Sequence, residues 1–196
     1  MSRSATVVVR ESNETQIRIG LDEAGVESSI ATTEPFLDHM LVALSRYAGV
    51  AFNIQARGDL RHHLIEDVAI ALGQAFAVHI PATCARYGER TVPMDDALVQ
   101  VVVDMGGRPY YRGPLPAKLY DHFFRSFADN ARATIHVRVL RGTDRHHIIE
   151  ATFKALGFAL REALVETGAV FSTKGAVKLS VTGGAGTAGA ASGGPR

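Results

Sequence analysis

The chain has 196 residues, 46% of them hydrophobic, and a formal net charge of +1 with both signs scattered along it. That supplies one sizeable core or two small fused units, and the absence of a basic stripe argues against nucleic acid as a partner. A single cysteine, Cys84, excludes an internal disulfide and fits a reducing compartment. The most apolar stretch, residues 68–80, is broken by Gly73, Gln74 and His79 and is too short to span a bilayer. The N-terminal stretch lacks the apolar run of a signal peptide. These features predict a soluble, cytoplasmic protein with no membrane partner.

In chain order, "ATVVVRES" and "TQIRIGL" read as strands, from their β-branched or alternating residues. "PFLDHMLVALSRYAG" has helical spacing and proline at its start. "VAFNIQA" alternates as a strand, and "HHLIEDVAIALGQAFAV" reads as a long, largely buried helix. The second half repeats the order. "ALVQVVVDM" and "RPYYRG" are strands, "LYDHFFRSFADNAR" a helix, "ATIHVRVL" a strand and "RHHIIEATFKALGFALREALVET" a long helix. The last residues, 183–196, are small and glycine-rich and read as a disordered tail.

The halves also match residue by residue. Asp38-His39 answers Asp121-His122, "RHHLIE" answers "RHHIIE", and "ALG" ending at Gly73 answers "ALG" ending at Gly157. Collinear self-similarity of this kind marks a duplicated unit. We expect an α+β fold in two similar halves, residues 1–90 and 91–182. Each would be a strand-strand-helix-strand-helix unit with its sheet covered on one face by helices.

The repeated cluster carries the chemistry. On a helix, Glu66 lies about 40° from His62 and about 60° from His63, while the two histidines are about 100° apart. One histidine and the glutamate can therefore share an ion while the other histidine points elsewhere. His146, His147 and Glu150 repeat the arrangement, and His39 and His122 add one histidine to each set. Imidazole with carboxylate and no thiolate suits manganese, iron, zinc, nickel or copper. Six of the eight histidines thus occupy equivalent places in two repeats; His79 and His136 have no counterpart and read as structural.

At these residues the sequence resembles the imidazoleglycerol-phosphate dehydratase family. The matching pieces are "FLDHML", "HHLIEDVAIALGQA", "RYG", "PMDDAL", "GGRPYY", "DHFFRSFADNARATIHVRVLRG", "HHIIEATFKALGFALREAL" and "STKG", in the family's order. The resemblance implies a fold like domain 2 of ribosomal protein S5, two Mn2+ per active site and a homo-24-mer with sites between subunits. It implies His39, His62, His63, Glu66, His122, His146, His147 and Glu150 as metal ligands. It further implies Arg86, Arg108, Ser172 and Lys174 as grips for the phosphate of a small-molecule substrate. Glu14, in "RESNET", matches a family glutamate and is expected to move a proton, with Glu66 and Glu150 the other catalytic carboxylates.

The implied reaction removes water from imidazoleglycerol phosphate to give imidazoleacetol phosphate, a step of histidine biosynthesis. The departing proton is not next to a carbonyl, so the imidazole must be the electron sink. Coordination of both its nitrogens would stabilise an imidazolate, which expels hydroxide through a diazafulvene-like intermediate. The chain departs from the family pattern before the first histidine pair, where "GDLRHH" leaves only Arg61 between. It also has Leu64 for a threonine and Gly107 for a serine. The alternatives are a diverged dimetal lyase or hydrolase on the same scaffold and a non-catalytic shell cemented by metal.

Overall fold

The computed structural model describes residues 5–22 and 27–168; Ser172, Lys174 and the expected tail lie outside the described residues. The first sheet contains β1 (Thr6–Glu11), β2 (Thr15–Asp22), β3 (Ser29–Ala31) and β4 (Ala51–Gly58), in the order β1-β2-β4-β3. β1 and β2 form an antiparallel hairpin, paired from Thr6–Leu21 to Glu11–Gln16, and β2 pairs antiparallel with β4. β3 runs parallel to β4, a pairing that requires a crossover; α1 (Pro35–Ala48) provides it. α2 (Arg61–His79) then packs on β1 and β2.

The second half repeats this plan with β5 (Tyr87–Met94), β6 (Ala97–Asp104), β7 (Tyr110–Arg112), α3 (Lys118–Ala131), β8 (Thr134–Arg141) and α4 (Arg145–Ala163). Its sheet has the order β5-β6-β8-β7, again with one parallel pair at the β7 edge. The expected strand-strand-helix-strand-helix unit is present, and each half has one strand more than the sequence suggested. β3 is only three residues long. β5 carries Pro93 and three charged or polar residues in succession, a pattern that argues against a central strand; it lies at a sheet edge, where a proline is tolerated. α4 ends earlier than expected, and the residues after it turn back to bond residues 83–86, with Ala85 N–H donating to the Val165 carbonyl at 2.7 Å.

Both sheets bury one face. Ile17, Ile19 and Leu21 point inward while Gln16 and Arg18 face out, and Val99, Val101 and Val103 do the same in β6. The helices cross between halves: α2 packs on α3 and α1 on α4. The repeated "ALG" motif makes those crossings possible. A Cβ on Gly73 would lie 2.7 Å from the Phe127 carbonyl of α3, and one on Gly157 would lie 2.7 Å from Tyr47 Cβ of α1. The two halves share one continuous core, with Phe52 and Phe76 from the first and Phe123, Phe124, Phe127 and Phe153 from the second. Among the described residues, no helix is long and apolar enough to cross a membrane.

Candidate metal and active site

The helix crossing brings a histidine of one half to the helix start of the other. His39 sits in the second turn of α1. Its neighbour Asp38 accepts hydrogen bonds from the Thr32 N–H (2.8 Å) and hydroxyl (2.6 Å), which pins the chain entering the helix. Asp121 does the equivalent beside His122, accepting from the Tyr111 hydroxyl (2.7 Å) and the Leu115 N–H (3.1 Å). The aspartate of each Asp-His pair is thus an anchor, and the histidine beside it is exposed.

Glu150 is the centre of the arrangement. Its side chain is 7% exposed, and one oxygen lies 3.1 Å from His146 Nε2 and 3.4 Å from His39 Nε2. The other oxygen takes an ion pair from Lys154, one turn on, at 2.8 Å. Burial alone would push the Glu150 carboxyl up, but the hydrogen bonds from Lys154, His146 and His39 outweigh it and hold it below its ordinary value. Phe36 packs edge-on against the His146 ring at 5.1 Å and fixes its plane. The ligand atoms of His39, His146 and Glu150 all fall within 4.8 Å of one another, two nitrogens and one oxygen that could hold a metal ion.

The repeat-related His122, His62 and Glu66 do not form such a group among the described residues. The two halves differ at the carboxylate. Lys154, which fixes Glu150, is matched by Ile70 in the first half, and Glu66 stays exposed.

The second histidine of each pair turns to a carboxylate. His63 Nδ1 lies 2.9 Å from Asp59 Oδ1 and 3.6 Å from Glu14 Oε2. His147 Nδ1 lies 2.8 Å from Asp96 Oδ1, and its Nε2 is 3.3 Å from Asp95 Oδ2. The hydrogen bond that His63 donates to Asp59 raises the pKa of His63, and the one that His147 donates to Asp96 raises that of His147. Asp59 is lowered in return, chiefly by His63. Asp96 is held well below the carboxylate range, first by the Thr143 N–H and then by His147.

Arg86 has a left-handed backbone (φ 73°) and grips Asp104 with two guanidinium nitrogens, at 2.6 and 3.1 Å. It lines a cavity of about 340 Å³ with Cys84, Met105, Gly106 and Arg132. Arg108 is exposed, and its carbonyl accepts from the Thr134 hydroxyl at 2.9 Å. His146 lines a different cavity, bounded by Phe36, Arg61, Tyr120 and Arg145. Within one chain, then, the structure gathers His39, His146 and Glu150 and does not bring Arg86 into the same cavity. Sequence reasoning missed Lys154, Asp59, Asp95, Asp96 and Asp104. The i, i+4 spacing of Glu150 and Lys154 was a readable signal for the first; the carboxylates on His147 and Arg86 come from other strands and turns and carried none.

The model of the imidazoleglycerol-phosphate dehydratase family matches residues 32–160. The chain belongs to that family. An imidazoleglycerol-phosphate dehydratase of Acidithiobacillus ferrooxidans is 44% identical over 88% of this chain and 96% of its own. The crystal structure of the Pyrococcus furiosus dehydratase superposes with a TM-score of 0.79 at 41% identity, covering 87% of this chain and all of that one. The Staphylococcus aureus enzyme gives 0.75 at 36% identity, covering 84% and 100%. The fold is therefore that of the dehydratase family along nearly the whole chain. Glu14, Ser172 and Lys174 fall outside the span of the family model.

Proposed function

We propose that this chain is a hydro-lyase that dehydrates imidazoleglycerol phosphate to imidazoleacetol phosphate in histidine biosynthesis. The observation that carries the proposal is the His39–His146–Glu150 cluster, built across the two halves of a chain that aligns with the dehydratases over most of its length. The donor set suits the two manganese ions that the family resemblance implies. Glu150 is buried, ionised and already flanked by two imidazoles, so a cation would meet an anionic site whose geometry is held by Lys154. His39, His146 and Glu150 would hold one ion, and His62, His63, Glu66, His122 and His147 complete the ligand set. Bound manganese would supply Lewis-acid stabilisation of negative charge on the substrate.

The chain's own residues divide the remaining work. Arg86, Arg108, Ser172 and Lys174 are assigned to the substrate phosphate. Asp104 takes two N–H groups of the Arg86 guanidinium, which leaves three donors for an anion. Glu14, in the β1–β2 turn and 57% exposed, is assigned the proton transfer. Arg86 and His146 line separate cavities of the chain, which supports a site completed by neighbouring copies; the homo-24-mer is the assembly that the family resemblance implies.

The test is turnover of imidazoleglycerol phosphate by manganese-reconstituted protein beside a metal-stripped control. Manganese-dependent formation of imidazoleacetol phosphate is the expected result. Protein that assembles, retains manganese and leaves the substrate untouched would overturn the assignment.

A further inference from the structure

The turns that precede β2 and β6 are equivalent by duplication, and each ends in an acid: Glu14 before Thr15, and Asp96 before Ala97. Each acid faces Nδ1 of the second histidine of a pair, but the contacts differ. Asp96 touches His147 Nδ1 at 2.8 Å, and its other oxygen accepts from the Thr143 N–H (2.7 Å) and the Asp144 N–H (3.2 Å) at the start of α4. It is held from two sides. Glu14 stands off at 3.6 Å from His63. The close position in the first half is taken by Asp59, at 2.9 Å, whose Oδ1 also accepts from the Leu60 N–H at 2.6 Å. Only Leu60 and Arg61 separate Asp59 from the histidine pair, so the short approach itself sets this acid one helical turn before His63.

We propose that Asp59 and Asp96 are positioning residues, each fixing the second histidine of its pair through Nδ1 so that Nε2 is presented to an ion, and that Asp59 thereby leaves Glu14 free of this task. The inference rests on the metal-site reading above. A carboxylate only accepts, so Nδ1 carries a proton, and in the neutral ring that an ion requires Nε2 keeps its lone pair. A fixed carboxylate behind an imidazole sets both tautomer and ring orientation. On the far side of His147, Asp95 places a further carboxylate 3.3 Å from Nε2, which adds negative charge where a cation would approach. The same hairpin position thus serves two ends: in the second half the acid is held as an orienter, and in the first it stands 3.6 Å off and exposed.

Asp59 offers the cleaner test, because its side chain is 50% exposed and caps nothing beyond Leu60 among the described residues. Manganese affinity is measured by chelator competition on the full-length protein and on Asp59→Ala and Asp59→Asn. The tautomer of His63 is read from imidazole 15N shifts of the metal-stripped chain. The expected result is a loss of roughly 10- to 100-fold in manganese affinity for Asp59→Ala. His63 should lose its Nδ1–H preference in that variant, and Asp59→Asn, which keeps an acceptor oxygen, should restore both in large part. Unchanged affinity and tautomer in Asp59→Ala would overturn the inference, as would equal losses in the two variants. A parent protein that binds no manganese sinks the reading beneath it instead, and the 15N shifts still decide whether Asp59 sets the tautomer.

Discussion

Replacing Glu150 with glutamine tests the cluster where it is most constrained. The carboxylate is 7% exposed and holds Lys154 at 2.8 Å, His146 at 3.1 Å and His39 at 3.4 Å. Glutamine preserves the volume and one acceptor oxygen but removes the charge. Weakening a buried hydrogen bond to a charged group costs about 1–3 kcal/mol. At about 2–4 °C per kcal/mol for a chain of this size, the metal-stripped variant melts several degrees below its parent. The larger effect is on linkage. An ion that binds only the folded protein adds about 2.7 kcal/mol at one hundred times its dissociation constant. That amounts to a rise of roughly 5–10 °C in the parent. Glu150→Gln should lose most of that rise, because the oxygen shared by both imidazoles no longer carries an anion. Melting curves across a manganese titration measure both quantities. A variant whose melting temperature climbs with manganese as steeply as the parent's would refute the placement of an ion at His39, His146 and Glu150.

Glu14→Gln should leave manganese affinity intact and lower kcat by about 10²- to 10⁴-fold, the usual worth of a positioned acid or base; near-normal kcat in steady-state assays would end its assignment to proton transfer. Tyr111 and Tyr120 give a prediction in alkali. Burial raises both phenols above the ordinary value of 10, with Asp121 adding to the rise at Tyr111. Below pH 10 the folded and unfolded chains hold these protons alike; above it the unfolded chain sheds them first, so stability falls by about 1.4 kcal/mol per pH unit for each group. Absorbance at 295 nm, in a chain with five tyrosines and no tryptophan, should show two phenols ionising only as the circular dichroism collapses. Five ionising near pH 10 with the fold intact would contradict the burial.

What the sequence made legible was whatever is local or repeated. Helical spacing placed all four helices, and the recurrence of "RHH", "ALG" and Asp-His marked both the duplication and six histidines. What it hid was set by tertiary neighbours. β5 was obscured because Pro93 is acceptable only at an edge, and edge position is decided by which strands pair. The role of the "ALG" glycines was equally hidden, since it depends on a helix of the other half passing over each one. Asp96 stood within a quoted motif, yet its bond to His147 joins the β5–β6 turn to α4 across the second half.

The same crossing explains why the cluster draws on both halves of the duplication. His146 and Glu150 are one turn apart on α4, but His39 reaches them from α1 of the other half, the helix whose later turn, at Leu44, Tyr47 and Ala48, passes over Gly157. A second half kept to itself would lack His39; among the described residues the exchange across the core gathers one such cluster, at Glu150. Duplication then permits divergence. Lys154 pairs with Glu150, whereas Ile70 stands in its place beside the exposed Glu66, and Asp96 holds His147 from its hairpin, whereas in the first half Asp59 takes that place and Glu14 lies 3.6 Å away. The second histidine of each pair keeps a close carboxylate in both halves, whereas the buried, lysine-paired glutamate is found only in the second, so the two copies have diverged at the carboxylate and not at the histidines.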